Sequence, residues 1–241
     1  MTNYSLEMNT IHPSWQACFP EALAQIDPYY LTQLYHSKNW LPGSKKIFNA
    51  FSLGLNQVKY VIFGESPYPR SASANGYAFW DAAIDQLWSD TGLSKPVNRA
   101  TSFRNIIKML LVAEGLLDQH SPTQENIVKI HKQRLVQSNA ELFANFLHHG
   151  FLLLNATLVL SSRSKTNDAK AWLPFIQSLL LCIVKERPQV KFIIFGRIAN
   201  QIKIVDSLAV DKIHSEHPYN HSFIINKEIQ AFFKPLHLLH R

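Results

Sequence analysis

The stretch VKYVIFGESPYPR, residues 58–70, decides the fold of this chain. Its first six residues are mostly apolar and β-branched or aromatic, and they predict a buried strand that ends abruptly at Gly64 and the prolines after it. Glu65, Ser66 and Tyr68 therefore follow the carboxyl end of a strand. In an open α/β sheet that edge binds ligands, because helices cover both faces of the sheet. A polar turn without a function is the alternative for a single loop of this kind.

Three further apolar runs predict strands, and each is followed by polar side chains. They cover residues 150–155, 190–195 and 212–214, and they lead to Asn155, to Gly196-Arg197 and to Ser215-Glu216-His217. Helical patterns separate the strands, which implies right-handed crossovers and a parallel sheet. The sequence therefore predicts an α/β fold: a single domain over residues 1–241 with a central four-stranded parallel sheet flanked by helices. Residues 1–17 are polar and irregular and predict a loose N-terminal arm.

Apolar residues at helical spacing predict the remaining elements. The patterns cover residues 20–35 with a break at Asp27-Pro28, and residues 45–53, 82–95, 98–115, 127–147, 169–186, 198–207 and 223–233. Residues 118–127 are polar and predict a loop.

The composition is that of a folded protein with a basic surface. Hydrophobic residues make up 46% of the 241 residues, and 28 side chains are Trp, Tyr or Phe, which argues against disorder. Lysine and arginine exceed aspartate and glutamate by 24 − 17 = 7, which favours a polyanionic partner.

The cysteines and the amino-terminal residues bear on the cellular location. Cys18 and Cys182 are too few for a multi-bridge framework, and too few for the four thiolates of a structural zinc or an iron–sulfur cluster. No basic start leads into an apolar run, and no stretch approaches the about 20 uncharged residues that cross a bilayer. We therefore expect a reducing, cytoplasmic environment and no membrane association.

Five motifs in order resemble family 1 of the uracil-DNA glycosylase superfamily over residues 40–230. Residues 41–69, LPGSKKIFNAFSLGLNQVKYVIFGESPYP, are similar to the segment from a PPG…FNAF helix to the GQDPYH loop; NGYAFW at 75–80 is similar to the Gly-x-x-Phe stretch, TSFRNIIKML at 101–110 to the serine-bearing helix start, LLLNATL at 152–158 to the LLLN strand, and HPYNHS at 217–222 to the HPSPLS loop. The resemblance implies a DNA glycosylase that flips one nucleotide out of single- or double-stranded DNA and hydrolyses its N-glycosidic bond. It implies a monomer without a metal or another cofactor.

The resemblance assigns the reading of uracil to four side chains. Phe79 stacks on the flipped base, and Asn155 pairs with its O4 and N3 because an amide both donates and accepts. Tyr68 blocks the 5-methyl group of thymine, and His217 donates to uracil O2. The structural alternatives are a core aromatic, a turn amide, a loop aromatic over the sheet edge and a structural histidine.

The catalytic loop departs from the family pattern. Ser66 stands at the position of the water-positioning aspartate and Glu65 at that of the glutamine before it, so the usual anionic centre is missing. Glu65 can supply that charge from the neighbouring position. The prediction is that Glu65 and Ser66 hold the water and that His217 assists departure of the base. Pro69 replaces the loop histidine, and Thr166-Asn167 stand where family 1 carries Ser-His.

The loop that enters DNA is also altered. His221 stands at the place of the wedge leucine and Tyr219 at that of a phosphate-pinching serine, with Asn220 between them. The other predicted phosphate contacts are Ser102, Ser164, Lys165 and Arg197, for which solvated surface polarity is an equal alternative.

Three functions remain open from the sequence. The favoured one is an active glycosylase for uracil or a related damaged base. The second is a catalytically weakened protein that binds uracil-containing or abasic DNA without efficient turnover, because serine replaces the aspartate. The third is a nucleotide-binding α/β domain with no role on DNA.

Overall fold

The computed structural model describes residues 6–37, 39–161, 165–198 and 202–241. They group into two compact units. The first is drawn from Met1–Asp81, Gly150–Ile193 and Ile198–Lys212, and the second from Ala82–His149, Ile194–Arg197 and Ile213–Arg241. The α-helices of the described residues are α1 (Phe19–Leu23), α2 (Pro28–Ser37), α3 (Lys95–Arg99), α4 (Thr101–Ala113), α5 (Gln124–Val128), α6 (Asn139–His148), α7 (Lys165–Glu186), α8 (Ile204–Ser207) and α9 (Lys227–Phe233). The strands are β1 (Trp40–Leu41), β2 (Tyr60–Gly64), β3 (Trp88–Ser89), β4 (Gly92–Leu93), β5 (Phe151–Asn155), β6 (Leu160–Ser161), β7 (Lys191–Phe195) and β8 (Asp211–Ser215).

The central sheet has four strands in the order β5-β2-β7-β8. Strand β2 pairs in parallel with β5, Gly64 opposite Asn155, and in parallel with β7, Tyr60 opposite Lys191. All five residues of β5 and the last four of β2 are buried, as expected of parallel strands covered on both faces. The predicted α/β fold with a four-stranded parallel sheet is therefore confirmed.

The described part of the expected N-terminal arm is not loose throughout. A 3₁₀ turn at Pro13–Ala17 buries Trp15 completely, and the Trp15 indole donates a 2.7 Å hydrogen bond to the carbonyl of Leu53. Phe51 packs edge-on against the Trp15 ring at 5.1 Å between centroids. Burial of the Trp15 side chain thus orders this segment, although the neighbouring residues are mostly polar.

Two helix predictions are wrong in type. Residues 45–53 form turns and a short 3₁₀ helix at Asn49–Ser52, although Ile47, Phe48 and Phe51 are buried as the pattern required. Residues 82–95 contain the antiparallel pair β3–β4, with Trp88 opposite Leu93.

The pattern at 127–147 divides into two helices. Helix α5 ends at Val128, and α6 begins after Ser138, whose hydroxyl caps the backbone N–H of Glu141 while the Glu141 carboxylate accepts from Ser138 N–H. This Ser-x-x-Glu capping box was present in the sequence as a start signal. The pattern predicted at 223–233 likewise divides, into a 3₁₀ turn at His221–Ile225 and α9.

A disulfide joins Cys18 and Cys182, whose Cα atoms lie 5.6 Å apart. It connects the residue before α1 with the second half of α7, and these two helices pack on each other in the first unit. The sequence excluded a multi-bridge framework and a four-thiolate metal site, favoured a reducing environment, and did not predict this pair. A bridge between residues 164 positions apart restricts the unfolded chain.

Within the described ranges, no helix is both long and apolar enough to pass through a bilayer.

Candidate active site

The loops after β2 and β5 leave the sheet side by side. Gly64 and Asn155 are register partners at the carboxyl ends of the two strands. The ladder continues past them, because Ala156 N–H donates to Gly64 O at 2.8 Å and Thr157 N–H donates to Glu65 O at 3.1 Å. The Glu65 loop and the Asn155 loop therefore begin at one edge, as the sequence predicted.

Gly64 leaves the space that the Asn155 side chain occupies. A Cβ atom at Gly64 would overlap Asn155 Oδ1 and would lie 2.8 Å from Ala78 Cβ. Ala78 is itself anchored to the sheet, since its N–H donates to Leu153 O at 3.1 Å. The segment that carries Phe79 is thus held against the strand end that carries Asn155.

Asn155 is buried at this edge, with only 2% of the residue exposed. Across the part of the chain that the structure describes, no hydrogen bond to the Asn155 side chain is found. A buried amide normally has partners, because leaving its donor and acceptor unpaired costs about 1–3 kcal/mol for each group. The Asn155 amide therefore has a donor and an acceptor that no described group occupies.

The side chain of Tyr68 is hydrogen-bonded to the backbone of Phe79. The Tyr68 hydroxyl donates to the carbonyl of Phe79 at 3.0 Å, and Phe79 has a φ of 63°, a conformation that non-glycine residues rarely adopt. Burial, with a smaller effect of Asp81, raises the pKa of Tyr68, and Arg70 lowers it in part. The phenol is therefore protonated at neutral pH and donates to the Phe79 carbonyl.

Glu65 forms an ion pair at the start of α7. Glu65 Oε1 lies 2.8 Å from Lys165 Nζ, and the two side chains are 53% and 51% exposed. Ser66, the next residue, is partly buried. An exposed pair of this kind contributes about 0–1 kcal/mol, so either partner can exchange it for another contact.

In the second unit, His217 packs on Gly196 after β7. Gly196 has a φ of 61°, and a Cβ atom there would lie 2.8 Å from His217 Cβ, so only glycine fits. The Tyr219 N–H donates to His217 Nδ1 at 3.1 Å. Because Nδ1 accepts, the proton of the neutral ring is at Nε2, which is a donor. His217 is an exposed residue.

Asn105 holds the loop that follows His217. This buried amide of α4 donates to Pro218 O at 2.8 Å and lies 3.4 Å from the carbonyl oxygens of Tyr219 and Asn220. Sequence reasoning missed it. The sequence feature that could have indicated Asn105 is a polar amide among the apolar residues of α4.

Glu216 supports the same loop from its other end. Asn226 Nδ2 donates to Glu216 Oε2 at 2.9 Å. Burial raises the pKa of Glu216, but hydrogen bonds from Ser222 and Asn226 outweigh it and bring the pKa below its ordinary value. The carboxylate is therefore charged at neutral pH and fixes the backbone next to His217.

The predicted site residues thus form two groups, one in each unit. The first comprises Glu65, Ser66, Tyr68, Phe79, Asn155 and Lys165, and the second His217, Tyr219, Asn220, His221 and Arg197. Tyr219 is 66% exposed, and His221 and Arg197 are exposed as well. Ser102 lies in the first turn of α4 and is partly buried, and Ser164 lies outside the described residues.

Comparison with known proteins gives one consistent family. No family model matches the sequence. The UNG crystal structure from Nitratifractor salsuginis is 38% identical with a TM-score of 0.90, and the match covers 98% of this chain and 95% of that one. Mimivirus uracil-DNA glycosylase, at 16% identity and a TM-score of 0.61 over 89% of this chain and 71% of that one, shares the fold.

Curated relatives carry the same name. The uracil-DNA glycosylases of Amoebophilus asiaticus and Streptococcus gordonii are 26% and 25% identical, each match covering 86% of this chain and 84% and 83% of theirs. With 38% identity to UNG over nearly the whole of both chains, this protein belongs to the uracil-DNA glycosylase superfamily and is a DNA glycosylase of that type.

Proposed function

We propose that this enzyme hydrolyses the N-glycosidic bond of uracil, or of a related damaged base, in a nucleotide that has been turned out of DNA. The reaction is monofunctional and needs no metal. The observation that carries the proposal is the Asn155 amide, which has no hydrogen-bond partner among the described residues and lies at the strand end against which Ala78, the neighbour of Phe79, is held. Such an enzyme acts in base excision repair.

The first group reads the base. Asn155 Oδ1 accepts from uracil N3–H and Nδ2 donates to O4, while the Phe79 ring stacks on the pyrimidine. Tyr68 stands beside this pocket and excludes the 5-methyl group of thymine. The contacts of Gly64 with Asn155 and Ala78, and of Tyr68 with Phe79, support a pocket that is formed before the base enters.

The second group stabilises the departing base and holds DNA. His217 Nε2–H donates to uracil O2, where negative charge develops as the bond breaks. Tyr219, Asn220 and His221 are exposed and enter the stack vacated by the flipped nucleotide, where His221 acts by stacking or by charge rather than by the apolar contact of a leucine. Arg197 and Ser102 bind phosphates.

Glu65 and Ser66 position the attacking water. Glu65 supplies the negative charge that serine cannot, and its pairing with Lys165 supports a site in which the carboxylate is held at the strand end. Lys165 can turn to a DNA phosphate, because the pair is exposed and weak.

Glu65→Ala is expected to slow uracil release about tenfold, a modest effect because solvent screens a carboxylate that is half exposed. The measurement is single-turnover release from an oligonucleotide with one uracil, in excess enzyme. Asp211→Ala is the matched control, because Asp211 forms a comparable exposed pair with Lys191 at 3.2 Å. Equal rates in the two variants would remove Glu65 from the mechanism.

The same assay tests the function itself. Uracil release by the unmodified enzyme from single- or double-stranded DNA supports a glycosylase. The alternative is a weakened protein that binds uracil-containing or abasic DNA, and the specific observation in its favour is Ser66 at the position of the catalytic aspartate. No release together with tighter binding of uracil-containing DNA than of undamaged DNA would establish that alternative. No release and equal affinity for both DNAs would contradict both.

Asn105→Ala is expected to reduce the single-turnover rate about tenfold, because the loop from Pro218 to Asn220 loses its shared donor and His217 is less well placed. Asn145→Ala is the control, since this amide also donates to two backbone carbonyls, those of Leu238 and His240. If Asn105 acts through His217, the two substitutions are not additive in a double-mutant cycle. Additive losses would show an independent, purely structural role.

A further inference from the structure

A cluster of metal-binding side chains lies in the second unit and is not used by the proposed reaction. Glu114, the residue that follows α4, and the histidines His237 and His240 each offer one ligand atom, and these atoms all lie within 4.8 Å of one another. Two imidazoles and a carboxylate form a donor set that suits Zn²⁺ and related divalent transition metals.

The Glu114 carboxylate is almost fully buried, with 1% of the side chain exposed. Its Oε1 accepts from Leu239 N–H at 3.2 Å. Its Oε2 lies within ion-pair distance of His240 Nε2, at 3.1 Å, and has no hydrogen bond from a described group. A carboxylate oxygen that is buried and poorly paired is costly unless a cation is nearby.

The backbone around the histidines is fixed by independent contacts. His240 N–H donates to His237 O at 3.0 Å, and Asn145 Nδ2 donates to the carbonyls of Leu238 and His240 at 2.9 and 2.7 Å. His237 has a φ of 46°, a left-handed conformation that costs about 1–3 kcal/mol in a non-glycine residue. The turn thereby brings both rings to the same carboxylate, with their centroids 5.7 Å apart.

We propose that Glu114, His237 and His240 bind a Zn²⁺ ion that clips residues 237–240 to the end of α4. Bonds of about 2.0–2.2 Å in a tetrahedral site require ligand atoms about 3.3–3.6 Å apart. The ligand atoms now lie within 4.8 Å of one another, and binding of the ion draws them to that range. A water molecule takes the fourth position. The role is structural, because the ion ties two segments of one unit together.

The test is a titration of the full-length, EDTA-treated protein with Zn²⁺, and with Co²⁺ as a spectroscopic probe. The expected result is one high-affinity ion per chain, visible d–d absorption with Co²⁺, and a rise of about 5–10 °C in the unfolding midpoint at 100 times Kd. His237→Ala and Glu114→Gln are expected to weaken binding at least about tenfold, since even the loss of an outer partner of a metal ligand does so.

The control is His120→Ala, another exposed histidine of the second unit, which should bind Zn²⁺ as the unmodified protein does. His237→Ala should unfold at the unmodified midpoint in EDTA, because the His237 ring is exposed. Absence of binding in the unmodified protein would overturn the proposal. So would an affinity in His237→Ala and Glu114→Gln equal to that of His120→Ala, which would assign the ion to other residues.

Discussion

Asn155→Leu is expected to reduce single-turnover uracil release about a thousandfold, the largest effect of any substitution considered for this protein. Leucine has a similar size but neither donates nor accepts, so uracil N3–H and O4 would enter a buried pocket unpaired. Two unpaired polar groups cost about 4 kcal/mol in all, and 1.36 kcal/mol corresponds to a factor of ten in rate.

The folded state should not suffer from this change. The Asn155 side chain is buried and has no hydrogen bond in the described structure to lose, so the unfolding midpoint should stay within about 3 °C. Asn98→Leu is the matched control, because the Asn98 amide donates to Leu93 O at 2.9 Å and accepts from Gln124. The Asn98→Leu variant should have a lower free energy of unfolding. The molecules that remain folded should release uracil at the unmodified rate. A loss of less than tenfold in Asn155→Leu would exclude Asn155 from base recognition.

His217→Ala is expected to lower the rate about a hundredfold, which is typical when one donor to a developing anion is removed. The Tyr219 N–H that donates to Nδ1 leaves the ring proton at Nε2, so the neutral imidazole is a donor without a change of protonation. His217→Gln keeps a donor near the same place and should recover about tenfold of the loss.

His214→Ala, an exposed histidine of β8 three residues before His217, is the matched control and should be active at the unmodified rate. The effect of His217→Ala should appear in the chemical step and not in DNA affinity, because the proposed contact forms as the base departs. A variant that binds uracil-containing DNA weakly but cleaves it at the normal maximal rate would show that His217 acts in binding instead.

Three of the four strands of the sheet were predictable because they are almost entirely buried. Runs such as 58–63 and 150–155 are mostly apolar, and they end at Gly64 and Asn155 within one residue of the predicted positions. The helix predicted at 82–95 failed for the opposite reason. Trp88 is held by a 2.6 Å hydrogen bond from its indole to Val136 O, a contact 48 positions away that no local pattern contains.

Of the candidate site, the sequence supplied the residue types and their order through five motifs. It could not supply the pairing of Glu65 with Lys165, because an ion pair between residues 100 positions apart depends on where α7 starts relative to β2. It also could not supply Asn105, since an amide in an apolar helix can face any of several loops. The contact with Pro218 at 2.8 Å is seen only in the structure and is the basis of the role proposed for Asn105.

The sequence by itself determined the superfamily, the four strands and the edge at which Glu65, Tyr68 and Asn155 lie, because these follow from local hydrophobic runs and from motifs of adjacent residues. Only the tertiary structure decided the strand order, the Cys18–Cys182 bridge and the grouping of Glu114 with the two histidines 123 and 126 positions later. Each of these depends on packing between segments that are distant in the sequence, and the hydrophobic pattern of neighbouring residues does not predict such contacts.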